Sequence, residues 1–183
     1  ALSLDYLSNG RFQLGLGVSG PQVVEGWYGR PFPKPLARTR EYIDIIRQVF
    51  KREGPVTNDG PHYPLPYPGD DGLGLGKPLK PITHPLRNEI PIYLGAEGPK
   101  NIALATEICD GWIPLFYNPY DESVYAESLV NMRPDFDIAQ MVQVNVTDDV
   151  EAGLVGFKYH MAFYVGGMGA KSTNFHKDLF VRM

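Results

Sequence analysis

Apolar and polar residues alternate along this chain in blocks that predict strands followed by helices. The clearest block runs from Ile90 to Pro114. An apolar run there ends in the turn Gly95–Pro99, a helix follows, and Asp110-Gly111 leads into a second apolar run. The block therefore predicts a strand, a turn, a helix and a second strand. Since strands that alternate with helices usually pair in parallel, it indicates a parallel sheet or a (β/α) barrel.

The same periodicity predicts further elements on both sides of that block. The clearest helix covers Pro35 to Arg52 and carries one apolar face, formed by Ile43, Ile46, Val49 and Phe50. Helices are also predicted at 1–7, 121–131, 150–164 and 175–183, and strands at 11–17 and 140–147. Because the chain starts at Ala1 and both of its ends lie in predicted helices, we expect a piece of a longer chain.

Residues 53–89 form an excursion from this alternating pattern and are dense in proline and glycine. The turn sequence Asn58-Asp59-Gly60 lies between Val56-Thr57 and His62-Tyr63 and predicts a small hairpin. The rest of the excursion is too aromatic and apolar for a simple linker. We interpret 1–183 as one domain whose excursion shapes either a substrate entrance or a subunit contact.

Composition narrows the classes of protein and of partner. The 183 residues are 43% hydrophobic, which suits one soluble domain. The net charge of -4 and the pI near 5.5 argue against nucleic acid as a partner, and no apolar run is long enough for a membrane span. The single cysteine, Cys109, excludes an internal disulfide and favours a reducing compartment, the cytoplasm. The four histidines are too dispersed for a metal site, so we predict none.

The turn of residues 95–99 is the first candidate site, with the sequence Gly-Ala-Glu-Gly-Pro. Gly98 suits the N-cap of the following helix and Pro99 its first position. Free backbone N–H groups and the positive end of the helix dipole would then face an anion such as a phosphate, with Lys100 beside them. From residue spacing alone, an ordinary strand-to-helix turn without a ligand explains this sequence as well as an anion site does. We interpret Glu97 as a solvated loop acid.

The second candidate site is the glycine-rich strand end Gly15–Gly20. Its glycines could admit a flat ring against the backbone, and tight packing explains them equally well. The sequence after Gly20 does not predict an immediate helix, which argues against a dinucleotide-binding fingerprint.

Four motifs in order then resemble one family, the luciferase-like flavin and deazaflavin oxidoreductases. They are LDYLSNGRFQLGLGVS (4–19), PLARTREYIDIIRQVF (35–50), NDGPHYPL (58–65) and IPIYLGAEGPKNIALATEICDGWIP (90–114). The tail, with HMAFYVGGMG and NFHKDL, is similar to the subgroup that uses the deazaflavin coenzyme F-420 (8-hydroxy-5-deazaflavin, also written F420).

The resemblance implies a TIM-like (β/α)8 barrel of the bacterial luciferase type, with the cofactor at the carboxyl ends of the strands. It implies that the cofactor ring is lined by Val18, Ser19 and Gly20. It implies that the phosphate end of the cofactor is held by Gly95, Ala96, Glu97, Gly98 and Pro99. The same resemblance implies that this chain lacks the first three strands and the last strand of such a barrel. No catalytic residue can therefore be named, and we expect the fragment alone to be inactive.

The function implied by the resemblance is F420-dependent hydride transfer to or from a small organic substrate, in a homodimer. Two alternatives on the same fold are an FMN-dependent monooxygenase and a non-catalytic flavin-binding paralogue. A further alternative is an unrelated α/β domain in which the glycine-rich turns serve only packing.

Overall fold

The computed structural model describes residues 1–169 and 174–183. In chain order, its elements are α1 (Leu2–Leu7), β1 (Leu14–Gly17), α2 (Pro21–Gly26), α3 (Pro35–Lys51), β2 (Ile92–Gly95), α4 (Pro99–Ile108), β3 (Gly111–Ile113), α5 (Ala126–Leu129), β4 (Asp137–Ile138), α6 (Val150–Ala162) and α7 (Phe175–Arg182). A 3-10 turn, Glu122–Tyr125, leads into α5, and a π-helical turn, Phe163–Gly167, extends α6. The predicted α3, α4, α6 and α7 are therefore confirmed, while the helix predicted at 121–131 is divided in two.

The four strands form one parallel sheet in the order β1-β2-β3-β4. Strand β1 pairs Gly17 with Gly95 of β2, and Gly95 pairs with Ile113 of β3. The parallel α/β sheet that the alternating pattern predicts is thus confirmed.

The register divides the sheet into a helix-facing side and an inner side, because successive side chains point to opposite faces of a strand. The helix-facing side joins the apolar core and consists of Leu14, Leu16, Ile92, Leu94, Trp112 and Ile138. The inner side consists of Gly15, Gly17, Tyr93, Gly95, Gly111, Ile113 and Asp137. Four glycines on one face leave that face largely without apolar side chains.

Helix α3 covers the sheet beside α4 and contributes Ile43 and Phe50 to the core, as its apolar face predicts. On the outer surface, the Arg40 guanidinium binds both carboxylate oxygens of Glu107 in α4, at 2.5 and 2.6 Å. The hydrogen bonds from Arg40 lower the pKa of Glu107. The pair links the two helices. Because both side chains are exposed, it adds little to the free energy of unfolding.

Residues 53–89 are anchored to α3 through the Glu41 carboxylate. Its Oε2 accepts hydrogen bonds from the backbone N–H groups of His62 and Tyr63, at 3.1 and 3.0 Å, and from Asn58 Nδ2 at 3.1 Å. A Cβ at Gly60 would lie 2.3 Å from the Glu41 side chain, so a larger residue there would have to displace the carboxylate. The hairpin predicted between Val56-Thr57 and His62-Tyr63 is wrong, since Glu41 takes those N–H groups. Isolated bridges form instead between Val56 and Leu79 and between Asn58 and Leu65.

The strand predicted at 140–147 is also wrong. Strand β4 ends at Ile138, and residues 141–150 are exposed without pairing to any strand in the described part of the chain. The alternating valines Val142, Val144 and Val146 are all exposed. A strand needs a hydrogen-bonded neighbour, which the sequence pattern of the segment itself cannot supply.

Cys109 is fully buried at the end of α4. Burial raises the pKa of its thiol to about 12. Because the thiolate is the reactive form, we expect no labelling by a thiol reagent such as DTNB at pH 8 in the folded protein and one equivalent in urea. Stoichiometric labelling of the folded protein would contradict this placement.

None of the helices described in residues 1–169 and 174–183 combines the length and apolar character that crossing a membrane requires. Over the same ranges, no cluster of three or more His, Cys, Asp or Glu side chains has the arrangement of a metal site.

Candidate functional site

The two candidate segments of the sequence lie at one edge of the sheet. Val18–Gly20 follow the last residue of β1, and Ala96–Pro99 follow the last residue of β2. These last residues, Gly17 and Gly95, are direct partners in parallel neighbouring strands. The carboxyl ends of both strands therefore bring the two segments together, at the edge where open and closed α/β sheets bind their ligands.

The inner side of the sheet is open at this edge and filled further down. A Cβ at Gly17 would meet no atom within 4 Å, and one at Gly95 would only touch backbone, at 3.4 Å from Leu16 O. One layer lower, Tyr93 fills the space over Gly111, where a Cβ would lie 2.3 Å from the tyrosine ring. Two glycines thus leave room for a flat group at the mouth of the sheet.

Tyr93 is fixed on the inner side by Asp137, the first residue of β4. Its hydroxyl donates a hydrogen bond of 2.9 Å to Asp137 Oδ2. Burial, and secondly this hydrogen bond, raise the pKa of Tyr93. The phenol therefore stays protonated near neutral pH and forms a neutral floor beneath the glycine-lined mouth.

The turn before α4 has the geometry of a helix start, as predicted. Gly98 is the N-cap, with φ −79° and ψ 146°, and Pro99 takes the first helical position. The Gly98 carbonyl accepts from the N–H groups of Asn101 and Ile102, at 2.9 and 3.0 Å. Among the described residues, no acceptor binds the N–H of Gly98 or of Lys100. A Cβ at Gly98 would face open space, so no other atom crowds the turn at this residue. Phosphate binding by this turn stays a prediction.

The same turn is held from below by Trp112 of β3, which is 1% exposed. Its indole Nε1 donates a hydrogen bond of 2.8 Å to the carbonyl of Ala96. The ring packs edge-on against Tyr125, with centroids 5.3 Å apart. The side chain of Ala96 is itself buried, so this residue can face a ligand only through its backbone.

Glu97 is not the solvated loop acid that its position in the sequence suggests. Its side chain is 14% exposed, and Oε1 accepts a hydrogen bond of 2.9 Å from the backbone N–H of Leu115. The other oxygen, Oε2, lies 3.7 Å from Nδ1 of His176 in α7. Glu97 therefore joins the turn after β2 to the loop after β3 and to α7. Its partners are distant in sequence, so no local pattern could reveal them.

Helix α7 is an unexpected neighbour of this turn. Asn174 caps the helix by accepting from the N–H groups of His176 and Lys177. The ring of Phe116, which follows β3, packs edge-on against His176 and Phe180. These contacts place α7 over the turn, a position that the sequence analysis missed.

The segment after β1 differs from its prediction in one respect. Helix α2 begins at Pro21, immediately after the N-cap Gly20, although no immediate helix was predicted there. The combination of glycine at the N-cap and proline at the first position is the overlooked signal. Ser19 adopts a left-handed φ of 61°, which turns the chain out of β1. Helix α2 has six residues, none buried, and so lacks the packed helix of a dinucleotide-binding unit.

The sequence model of the luciferase-like monooxygenase family matches residues 1–181. The chain belongs to this family. Its resemblance to that family, inferred from four motifs, is thereby confirmed.

Among curated relatives, the chain is 62% identical over 192 aligned positions to a Mycobacterium tuberculosis protein named "Putative coenzyme F420-dependent oxidoreductase". This match covers 100% of the chain and 55% of the relative. The chain is also 31% identical to a 5,10-methylenetetrahydromethanopterin reductase of Archaeoglobus fulgidus, over 90% of the chain and 47% of that enzyme. The chain thus spans about half the length of the curated relatives it matches.

Two solved structures show the same fold. An F420-dependent tetrahydromethanopterin reductase from Methanopyrus kandleri superposes with a TM-score of 0.72 over 93% of this chain and 51% of its own, at 23% identity. An F420-dependent secondary alcohol dehydrogenase superposes with a TM-score of 0.71 over 98% of this chain and 54% of its own, at 17% identity. The four parallel strands described above are part of a TIM-like (β/α)8 barrel, as predicted.

In this chain, a cavity of about 900 Å³ lies at the amino ends of the strands, opposite the candidate site, between α3 and β2. Its three arginines already bind carboxylates: Arg40 pairs with Glu107, while Arg47 and Arg133 pair with Asp110. Asp110 Oδ2 also accepts from the backbone N–H of Ile92, at 2.9 Å. Because barrel enzymes place their active sites at the carboxyl ends of the strands, we assign these pairs at the amino ends a structural role: Arg40 and Glu107 join α3 to α4, and Asp110 holds the start of β2.

Proposed function

We propose that this chain is part of an oxidoreductase that binds coenzyme F420 and transfers a hydride to or from a small organic substrate. The observation that carries the proposal is the glycine-lined mouth at the carboxyl ends of β1 and β2, beside the open N-terminus of α4. When bound, the deazaflavin ring supplies the hydride acceptor or donor.

The residues present fit such a coenzyme on three counts. The absence of side chains at Gly17 and Gly95 leaves space for a ring against the sheet. The N–H groups of Gly98 and Lys100, which have no acceptor among the described residues, suit a phosphate, and the dipole of the ten-residue helix α4 favours its negative charge.

In the proposed complex, each segment has one task. Val18, Ser19 and Gly20 line the ring, because they continue β1 beside the empty position at Gly17. The turn of residues 95–99 holds the phosphate end through backbone donors. The buried Trp112 and Glu97 hold this turn in place before the coenzyme arrives, which lowers the entropy lost on binding.

The names of the relatives support F420 over FMN as the coenzyme. The 62% identical relative is named for F420, and the two solved structures compared above are F420-dependent enzymes by name. FMN remains the alternative because the family model is described as luciferase-like monooxygenase. Both coenzymes offer a tricyclic ring and a phosphate, so the same mouth would receive either one.

A direct titration distinguishes the two coenzymes. The full-length protein is titrated with F420 and, separately, with FMN, while the fluorescence of the ring is followed. We expect saturable binding of F420 and at least tenfold weaker binding of FMN. Tighter binding of FMN would replace the proposal with a flavin-dependent monooxygenase. Binding of F420 without turnover of any of a panel of alcohols, ketones and unsaturated substrates would favour a non-catalytic paralogue.

We also propose that the full-length protein is a cytoplasmic homodimer. The buried and unreactive Cys109 is compatible with a reducing compartment. Light scattering coupled to size exclusion measures the oligomeric state, and a monomeric mass would reject the dimer.

A further inference from the structure

Three polar side-chain atoms close to the turn before α4 are buried without a hydrogen-bond partner in the described structure. They are Glu97 Oε2, His176 Nδ1 and Asn101 Oδ1. Two of them face each other, since Oε2 of Glu97 and Nδ1 of His176 are 3.7 Å apart. Buried polar atoms are normally paired, so this arrangement calls for an explanation.

Glu97 poses an electrostatic problem for the function proposed above. It precedes the N-cap Gly98, in the very turn whose backbone is proposed to hold a phosphate. A buried carboxylate there would repel a phosphate, and a low local dielectric strengthens that repulsion. Its side chain points away from solvent and is locked to Leu115, so it cannot swing out to relieve the repulsion.

We propose that His176 and Glu97 form a positioning pair, in which the ring of His176 faces the Glu97 carboxylate beneath the phosphate turn and reduces its repulsion of a bound phosphate. This inference rests on the proposed function, because it concerns the same site. The side chain of His176 is 19% exposed, and α7 supplies it from a fixed helix start, capped by Asn174. His176 lies on the Oε2 side of the carboxylate, while Oε1 binds the backbone N–H of Leu115.

Helix α7 makes a second contact that supports this role. Arg182 lies six residues after His176 in α7, and its Nη2 donates a hydrogen bond of 3.4 Å to the backbone carbonyl of Glu97. Phe116 packs against His176 and Phe180 and keeps the helix in register with the turn. Two basic side chains of α7 therefore converge on one residue. The helix brings positive charge to the turn as well as covering it.

Other titratable groups lie near the pair and enter the design of the test. His160 and Tyr164 belong to the aromatic cluster around His176: the Tyr164 ring lies 5.1 Å from it, and His160 lies 4.9 Å from Tyr164. Lys100 stands in the first turn of α4. All of these groups remain unchanged in the Glu97 and His176 variants described below. A difference in affinity or Tm between those variants is therefore caused by the substitutions at Glu97 and His176.

A charge-removal cycle tests the proposal on the full-length protein. We expect His176→Ala to weaken F420 binding about five- to tenfold, because the carboxylate of Glu97 is left uncompensated near the phosphate. Adding Glu97→Gln to this variant should restore the affinity to within about twofold of the wild type. The glutamine keeps an oxygen for the N–H of Leu115. The control Lys177→Ala, on the exposed side of the same helix turn, should change the affinity by less than about twofold.

A purely structural role of His176 predicts a different result, since the double variant would then bind no better than His176→Ala. That outcome, or an unchanged affinity in His176→Ala, would overturn the proposal. If His176→Ala does not fold, His176→Gln replaces it, because glutamine retains a donor without the charge.

A second readout needs no coenzyme and keeps the inference separate from the proposed function. Thermal unfolding of the same variants should show a lower Tm for His176→Ala and a recovery when Glu97→Gln is added, since an unpaired buried carboxylate is costly. No recovery of Tm would overturn the pairing. A wild-type protein that fails to bind F420 but shows this recovery would reject the proposed function and retain the pair.

Discussion

Replacing Gly98 with valine is expected to weaken coenzyme binding about 100-fold while the protein stays folded. The Cβ of residue 98 would project into the open space in front of the α4 N-terminus and keep a phosphate from the backbone N–H groups. Losing one or two charge-assisted hydrogen bonds, at roughly 1.5–3 kcal/mol each, gives an effect of this size. Fluorescence titration with F420 measures it.

The stability of this variant should fall by less than about 1 kcal/mol, the cost of a poorer N-cap. The backbone at Gly98 is extended, and the position before a proline favours that conformation for any residue. Gly54→Val is a matched control, because a Cβ at Gly54 also meets open space but lies beyond α3, away from the strand ends. Unchanged affinity in a folded Gly98→Val protein would refute phosphate binding by this turn.

Replacing Gly111 with alanine is expected to destabilise the fold by about 3 kcal/mol, a typical cost of overpacking a core. A Cβ at this position would lie 2.3 Å from the ring of Tyr93 and 2.8 Å from the carbonyl oxygen of Asp137. The tyrosine is pinned by its hydrogen bond to Asp137, and the carbonyl belongs to the neighbouring strand. Neither can move without disturbing the sheet. Urea unfolding followed by tryptophan fluorescence measures the loss.

Gly17→Ala is the matched control for stability, since Gly17 lies on the same inner side and its Cβ would meet no atom within 4 Å. We expect its free energy of unfolding to change by less than about 1 kcal/mol. A second comparison uses Tyr93→Ala, which removes the ring that Gly111 accommodates. In that background Gly111→Ala should cost less than it does alone. Equal costs in the two backgrounds would show that Tyr93 is not the reason for the glycine.

Local sequence patterns were sufficient wherever an element owes its position to its own residues. The face of Ile43 and Phe50 predicts α3, and the Gly98-Pro99 pair predicts the start of α4. The family resemblance reached further, because four motifs in a fixed order imply a barrel fold; the structure shows its parallel strand pairing, and the two superposed structures share its fold.

Predictions failed where a distant residue takes part. The hairpin in the excursion does not form with the predicted pairing, because Glu41 of α3 binds the N–H groups of His62 and Tyr63, and the antiparallel bridge joins Asn58 to Leu65 instead. The alternating valines after β4 form no strand, since no other strand among residues 1–169 and 174–183 pairs with them. In both cases the hydrogen-bond partner, rather than the propensity of the segment, decides the structure.

The sequence by itself determined the alternation of strands and helices, the family, and the open backbone turn at residues 95–99. The elements and the turn follow from residue spacing and from glycine and proline chemistry, which act over a few positions, whereas the family follows from the resemblance of four ordered motifs. Only the tertiary structure decided that Val18–Gly20 and this turn share one sheet edge, that Tyr93 closes the space below them, and that Glu97 is buried against His176. The physical reason is that burial and charge pairing depend on residues that are neighbours in space and far apart along the chain.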